Sequence, residues 1–167
     1  MPSRVISTTA RIRSLQLAEC LSSLLALELL VPSPHYYLIS PWITDFVIMN
    51  NGFGQYRALL PDRLDREVRL SMLLRALHER GAVLHVLTRT DSIAFVNALP
   101  VSQRIKVKWS EQLHEKTFAC KNFLIDGSMN FTYTGANRSD EKVRIEVERG
   151  AVNQALLEAE TRWESAE

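Results

Sequence analysis

The segment Leu113 to Phe118 (LHEKTF), four polar residues between two hydrophobic ones, is interpreted as a β-strand with its two-residue period. Side chains of a strand point alternately to its two faces, so His114, Lys116 and Phe118 are predicted to share one face. The segment therefore places an imidazole and an ammonium group side by side.

A second polar pair with the same spacing follows a turn signal. Asp126-Gly127 is a dipeptide typical of tight turns, and Ser128 and Asn130 come after it. The spacing predicts a second strand that returns beside the first and presents a hydroxyl and an amide to the same point.

Four further segments have strand patterns. Arg104 to Trp109 and Val143 to Val147 alternate strictly, which predicts half-buried strands. Tyr36 to Ile39 and Ala82 to Leu87 are short apolar runs of the kind that form buried strands.

Four segments are predicted to be helices, and prolines or glycine stand at several of their ends. They are Ala10 to Val31, Arg66 to Arg80, Asp91 to Leu99 and Ala151 to Trp163. A helix between the two apolar strands fits a parallel crossover. The order of elements predicts an α/β fold, a mixed β-sheet flanked by helices on both faces, in a single domain spanning residues 1–167.

Composition agrees with one globular domain, because 46% of the residues are hydrophobic and 23% are charged. Glu19 and Glu28 interrupt the apolar run near the N-terminus, so no membrane span is predicted. Cys20 and Cys120 lie far apart, which favours reduced thiols in a soluble cytoplasmic protein. The four histidines are scattered as well, so no metal site is predicted.

The net charge of +1 conceals an asymmetry along the chain. Basic residues outnumber acidic ones up to Arg138, whereas acidic residues predominate from Ser139 onward. A modestly basic body is compatible with a polyanionic ligand and equally with an ordinary solvated surface.

Polar residues stand where predicted strands end, which is where α/β proteins place ligand sites. Ser40 and Trp42 follow the first apolar run, and Arg89 follows the second. An arginine there can meet a phosphate, so these three residues are candidate substrate contacts. Packing and loop roles remain alternatives for each of them. His85, inside the second run, is predicted to be a core histidine.

The imidazole, ammonium, hydroxyl and amide of the predicted hairpin suit a phosphate group. Hydrolysis of a phosphodiester needs a nucleophile, a proton for the leaving oxygen and neutralisation of the phosphoryl charge. Histidine can serve either of the first two needs near neutral pH. Glu141 supplies a downstream carboxylate, and Asp140 and Glu146 are close enough in sequence to compete with it.

The whole pattern resembles the signature of the phospholipase D superfamily, which is His-x-Lys, an Asp, then Gly-Ser-x-Asn and a downstream acid. Six residues match it here: His114, Lys116, Gly127, Ser128, Asn130 and Glu141. One position departs, because Lys121 stands where the family has its Asp. That Asp supports the site in the family, so the departure weakens the match without removing a reacting group.

The resemblance implies a metal-independent phosphodiesterase that uses no cofactor. In the family one histidine forms a phosphohistidine and a second protonates the leaving group. This chain has one motif, so the resemblance implies a homodimer with two His114 side chains facing across a two-fold axis. Lys116 and Asn130 would bind phosphoryl oxygens, Ser128 and Gly127 would support the phosphate, and Glu141 would orient a histidine.

Three functions remain as hypotheses. The segments Tyr36 to Thr44 and Arg80 to Arg89 resemble small single-motif members found with 7-deazapurine DNA modification and restriction systems. A nuclease acting on DNA, or on RNA, with other defence-system proteins as partners, is therefore the first. A lipid phosphodiesterase is second, because the chain has no Lys-rich amphipathic helix for a membrane surface. A catalytically silent phosphate-binding assembly subunit is third.

Overall fold

The computed structural model describes residues 3–7, 15–60, 66–137 and 140–166. The described part of the chain forms nine strands: β1 (Arg4–Ser7), β2 (His35–Ile39), β3 (Val47–Asn50), β4 (Glu67–Arg69), β5 (Val83–Thr88), β6 (Ile105–Trp109), β7 (Thr117–Cys120), β8 (Leu124–Gly127) and β9 (Lys142–Glu146). Its helices are α1 (Leu15–Leu30), α2 (Leu70–Glu79), α3 (Ile93–Asn97), α4 (Tyr133–Asn137) and α5 (Arg149–Glu164).

Seven of the strands form one mixed sheet in the order β1-β9-β8-β7-β2-β5-β6. β2, β5 and β6 are parallel, and α2 lies in the crossover between the first two. β7, β8, β9 and β1 follow in the sheet, each antiparallel to its neighbour, and β7 pairs antiparallel with β2. The mixed sheet predicted from the sequence is confirmed.

Helices cover both faces of this sheet, as predicted. α1 and α2 bury leucines on one face, among them Leu17 and Leu73, in a core that includes Phe118. α5 packs on the other face, where Ala159 and Trp163 meet Tyr37 and its neighbours. None of the helices in the described part of the chain combines the length and the apolar character that a membrane crossing requires.

His85 belongs to the layer beneath α5. Its ring stacks on Tyr37 with centroids 4.4 Å apart and meets Trp163 edge-on at 4.7 Å. Burial, with smaller contributions from the charges of Lys106 and His35, lowers the pKa of His85 to about 4. The ring is therefore neutral near pH 7, which supports the interpretation of His85 as a core histidine.

The second helix begins at Leu70, later than the predicted Arg66. The three residues before it form β4, which pairs with β3 in a separate two-stranded sheet. Asp45 accounts for the position of the helix start, because its carboxylate accepts hydrogen bonds from the Ser71 N–H (2.8 Å) and hydroxyl (2.9 Å). These bonds satisfy donors in the first turn of α2.

The other element ends differ less from the sequence prediction. Residues 10–14 of the first predicted helix lie outside the described residues. The third predicted helix divides into a 3-10 turn (Thr90–Ser92) and α3. β1 was not predicted, and it pairs with β9 at the margin of the sheet.

Glu28 connects α1 to the central strands through a fully buried carboxylate. Oε2 accepts hydrogen bonds from the Tyr36 hydroxyl (2.5 Å) and the Ser33 N–H (2.9 Å). Oε1 accepts from the Asn122 amide (2.9 Å) and the Cys120 thiol (3.2 Å). Burial, together with the Glu28 charge, raises the pKa of Cys120 to about 12, so this thiol packs in its protonated form.

We expect Glu28→Ala to lower the free energy of unfolding by about 3 kcal/mol or more, because three buried donors and the half-buried Asn122 amide each lose a hydrogen bond to the carboxylate. Urea denaturation followed by circular dichroism measures the effect. Glu19→Ala is the matched control, since Glu19 lies exposed on the same helix, and it should change stability by less than about 0.5 kcal/mol. Equal losses for the two variants would contradict the role given to the buried carboxylate.

Candidate active site

The candidate residues lie at one edge of the sheet, where neighbouring strands begin or end. Ile39, the last residue of β2, pairs with Thr117, the first residue of β7. Thr117 pairs in turn with Asp126, and the next residue of β8, Gly127, pairs with Val143 of β9. The segments that extend beyond these pairs therefore meet at the same edge.

The strand that was predicted to carry His114 and Lys116 begins later in the structure. β7 starts at Thr117, so both residues lie in the irregular segment that precedes it. The prediction that Phe118 shares their face was wrong, since Phe118 is buried in the core while His114 is exposed. β7 starts late because its partner β2 ends before Ser40-Pro41. The proline has no N–H with which to continue the hydrogen-bond ladder.

The predicted turn at Asp126-Gly127 was also wrong. β7 and β8 are joined through Lys121 and Asn122, and the Cys120 N–H donates to the Phe123 carbonyl at 3.0 Å. The two strands are antiparallel, but the turn lies at the opposite edge of the sheet. β8 ends at Gly127, so the prediction of a strand through Ser128 and Asn130 was wrong. The segments before β7 and after β8 consequently lie at the same edge of the sheet.

Arg89 holds the segment that carries His114. From the end of β5, it donates hydrogen bonds to the Leu113 carbonyl through Nε (3.0 Å) and Nη2 (2.6 Å). Nη2 also lies 3.3 Å from His114 Nδ1. A guanidinium group has donors only, so Nδ1 is the acceptor and Nε2 carries the proton of the neutral ring.

Lys116 adds a second positive charge beside His114. Its Nζ donates to the His114 carbonyl at 2.6 Å, and its side chain is half-buried. An exposed imidazole flanked by an ammonium and a guanidinium group forms a local site suited to an anion.

Ser128 and Glu141 contact each other at the ends of β8 and β9. The Ser128 hydroxyl donates to Glu141 Oε2 and accepts the Lys142 N–H at 2.9 Å. Glu146, one of the competing acids, lies at the far end of β9 and accepts hydrogen bonds from the backbone that follows it. Of these two acids, the structure brings Glu141 to the candidate site.

Gly127 has a backbone role. Its φ is +140°, and a Cβ at this position would lie 2.1 Å from the Lys142 carbonyl oxygen. Only glycine permits β8 to approach β9 so closely at this point. Gly127 therefore places Ser128 next to Glu141 without needing to touch a substrate itself.

Ser40 and Asn130 meet across the junction between β2 and the segment after β8. The Ser40 hydroxyl lies 3.0 Å from the Trp42 carbonyl oxygen and 3.5 Å from Asn130 Oδ1. Ser40 is fully buried, which gives it a supporting position. With its oxygen beside Ser40, half-buried Asn130 can direct its amide N–H groups to a substrate oxygen.

Trp42 is 46% exposed, a large fraction for tryptophan. Its indole N–H donates to Asp91 Oδ2 at 3.3 Å, and the Arg89 guanidinium carbon lies 5.5 Å from the ring centre. Asp91 was predicted only as the first residue of a helix, and this contact was not predicted. The available signal was its position two residues after Arg89, at the same strand end.

The candidate site is an open surface of the sheet edge. A cavity of about 560 Å³ lies elsewhere, among α1, β3 and the aromatic residues Tyr56 and Tyr133, and no candidate residue lines it. Within residues 3–7, 15–60, 66–137 and 140–166, no group of three His, Cys, Asp or Glu side chains is arranged to hold a metal ion.

The similarity of this chain to known proteins lies in its structure and not in its sequence. No protein-family model and no curated protein matches the sequence. NucT from Helicobacter pylori superposes with a TM-score of 0.61 at 10% identity, covering 99% of this chain and 98% of that one. Nuc from Salmonella typhimurium, a phospholipase D family member, superposes with a TM-score of 0.58 at 16% identity, covering 99% and 97%.

The chain has the phospholipase D fold. TrmBL2, an archaeal chromatin protein, also superposes, with a TM-score of 0.53 at 12% identity over 100% of this chain and 53% of TrmBL2. Both bacterial structures match this chain over nearly their whole length.

Proposed function

We propose that this protein is a phosphodiesterase that cleaves nucleic acid, with DNA as the preferred substrate, without a metal ion. The observation that carries the proposal is the meeting of His114, Lys116, Arg89, Asn130 and the Ser128–Glu141 pair at one edge of a phospholipase D fold. These groups supply the nucleophile and the charge neutralisation that phosphodiester hydrolysis needs.

In the first step a nitrogen of His114 attacks phosphorus. The N–P bond forms as the P–O bond to the leaving group breaks, and the leaving oxygen takes a proton from a second imidazole. In the second step water attacks phosphorus, the N–P bond breaks, and the proton of the water passes to that second imidazole. One imidazole bonds to phosphorus while another gives and takes the protons, so the mechanism requires two histidines in one site.

The second histidine has no source within one chain. His35 stands at the start of β2 and His78 at the end of α2, both at the opposite edge of the sheet, while His85 is buried beneath α5. These three and His114 are all the histidines of the sequence. We therefore propose a homodimer in which two copies of His114 share one site across a two-fold axis.

Positive charge and amide donors stabilise the transferred phosphoryl group in this proposal. Lys116 and Arg89 neutralise the charge on its oxygens, and Asn130 donates a hydrogen bond to one of them. Ser128 and Glu141 form a supporting pair: the carboxylate orients an imidazole and stabilises its protonated form, as in other histidine-based sites.

Nucleic acid is the proposed substrate for two reasons. An exposed tryptophan beside the cationic groups suits a polymer with both bases and phosphates. The description of TrmBL2 as a chromatin protein with a novel mode of DNA binding agrees with this choice. A cytoplasmic DNA modification or restriction system, with other defence proteins as partners, is the setting that the sequence resemblance favours.

The proposal is tested by incubating the purified protein, in excess EDTA, with single-stranded DNA, RNA and phosphatidylcholine vesicles. We expect cleavage of DNA, at a rate that EDTA does not change, because every group in the mechanism comes from the protein. Cleavage of vesicles alone would assign the site to lipids. Cleavage that requires Mg²⁺ would overturn the mechanism, and binding of DNA without cleavage of any substrate would identify a silent subunit.

A further inference from the structure

Trp42 is held rigidly although its ring is exposed. Its neighbours Pro41 and Ile43 are buried. The Pro41 carbonyl accepts the Arg89 N–H at 3.4 Å, and the Ile43 N–H donates to the Ser92 hydroxyl at 2.9 Å. The backbone on both sides of Trp42 is thus fixed to the segment that follows β5.

The side chain is fixed as well. The hydrogen bond from the indole N–H to Asp91 sets one edge of the ring, and the guanidinium group of Arg89 lies over the ring. An indole that served only to fill space would be buried, and an unconstrained surface indole would have no such pair of polar partners. The ring is therefore presented to solvent in a defined orientation.

The ring stands next to the reacting group. The guanidinium group that contacts Trp42 is the one that lies 3.3 Å from His114 Nδ1. A single side chain thus separates the aromatic surface from the imidazole. In a nucleic acid, the base of a nucleotide is attached within a similar short reach of its phosphate.

We propose that Trp42, oriented by Asp91 and Arg89, stacks on a base next to the scissile phosphate and thereby restricts the enzyme to single-stranded nucleic acid. In a duplex each base face is covered by its neighbours, whereas an unpaired strand can splay a base onto an aromatic side chain. Stacking is indifferent to sequence, because every base has a π face. This proposal rests on the nuclease function proposed above.

A quaternary ammonium headgroup could also bind an aromatic ring, but the charges around Trp42 disfavour it. The Arg89 cation already contacts the ring, and Lys116 is bonded to the backbone carbonyl of His114, whose imidazole lies beside the same Arg89. A second cation at the ring would meet like charge, whereas a base carries none. The observations therefore favour a nucleobase over a choline lipid.

The test compares two single-stranded substrates of equal length, an oligo(dT) and the same backbone made of abasic sites. Both present the same phosphates, so the ratio of their kcat/KM values isolates the contribution of the bases. We expect a ratio of about ten to a hundred for the wild type, a fall toward one for Trp42→Ala, and retention of most of the ratio in Trp42→Phe. A duplex of the same sequence should be cleaved at least about tenfold more slowly than the single strand.

Phe53→Ala is the matched control, because Phe53 is an almost fully exposed aromatic residue in the loop after β3, and the ratio should be unchanged. A ratio near one in the wild type, or an undiminished ratio in Trp42→Ala, would overturn the proposal. So would a shift of Trp42→Ala from dimer to monomer in light scattering, which would assign the ring to a subunit interface. If the wild type cleaves neither strand, the nuclease function itself is rejected. If Trp42→Ala loses only the cleavage of vesicles, Trp42 is assigned to lipid recognition.

Discussion

His114→Ala is expected to abolish phosphodiester cleavage, and Lys116→Ala to lower it by about a hundredfold to a thousandfold. Loss of His114 removes the nitrogen that bonds to phosphorus, so neither step can proceed. Loss of Lys116 removes a cation whose interaction with the phosphoryl oxygens is strengthened when substrate excludes water from the site. Initial rates on single-stranded DNA in EDTA measure both effects.

The fold supplies a matched control for each substitution. Lys116 and Lys121 flank β7 at its two ends, so Lys121→Ala removes the same charge at the opposite edge of the sheet. His35→Ala is the control for His114→Ala, because His35 is exposed at the far end of β2. Both control variants should keep near wild-type rates. If the control variants lose as much activity as Lys116→Ala, the location of the site is wrong, and activity that persists in His114→Ala would reassign the nucleophile.

Mixed dimers of wild type and His114→Ala should be inactive, because such a dimer keeps one histidine but cannot both attack and protonate the leaving group. After subunit exchange with a ninefold excess of the mutant, only about a tenth of the wild-type chains remain paired with each other. Activity per wild-type chain should fall to about the same fraction. The measurement is the rate at constant wild-type concentration as mutant is added.

A complete site in each chain predicts a different curve. Activity would then follow the wild-type chains present, and added mutant would be inert. Light scattering must first give the wild type the mass of two chains, and native mass spectrometry must show that mixed dimers formed. A mass of one chain at micromolar concentration, or a flat curve with mixed dimers present, would eliminate the shared site.

The sequence predicted which segments lie at one edge of the sheet, but not how the backbone brings them together. The spacing of the two polar pairs was sufficient to place His114, Lys116, Ser128 and Asn130 on neighbouring segments. The predicted strand starts at Leu113, before the observed start at Thr117, because the local pattern does not show where β2 stops pairing. A strand boundary depends on the partner strand, and here the partner is more than seventy residues away in the sequence.

The start of the second helix also could not be predicted from the sequence pattern alone. The apolar period of the second helix extends back to Arg66, yet Val68 is buried as part of β4. The position at which strand β4 ends and helix α2 begins is fixed by Asp45, which lies 26 residues before Ser71, its hydrogen-bond partner. Periodicity reports which face of an element is buried, whereas its ends depend on such distant partners.

The contacts that fix Trp42 and Glu28 could not have been predicted from local pattern. Trp42 and Asp91 are 49 positions apart, and Glu28 and Asn122 are 94 apart. Sequence reasoning identified Trp42 and Arg89 separately as residues at strand ends. Only the sheet order, with β5 next to β2, brings them together as one group.

In the proposed mechanism, the contact between Arg89 and His114 leaves the nucleophile latent in the isolated chain. Nδ1 uses its lone pair to accept from Arg89, and Nε2 of the neutral ring carries the proton, so neither nitrogen has a pair free for phosphorus. A phosphate oxygen is a better partner for a guanidinium group than an imidazole nitrogen is. In that mechanism a substrate phosphate that draws Arg89 to itself would free Nδ1. Solvent would then carry the Nε2 proton to Nδ1, and the lone pair left on Nε2 would be able to attack phosphorus.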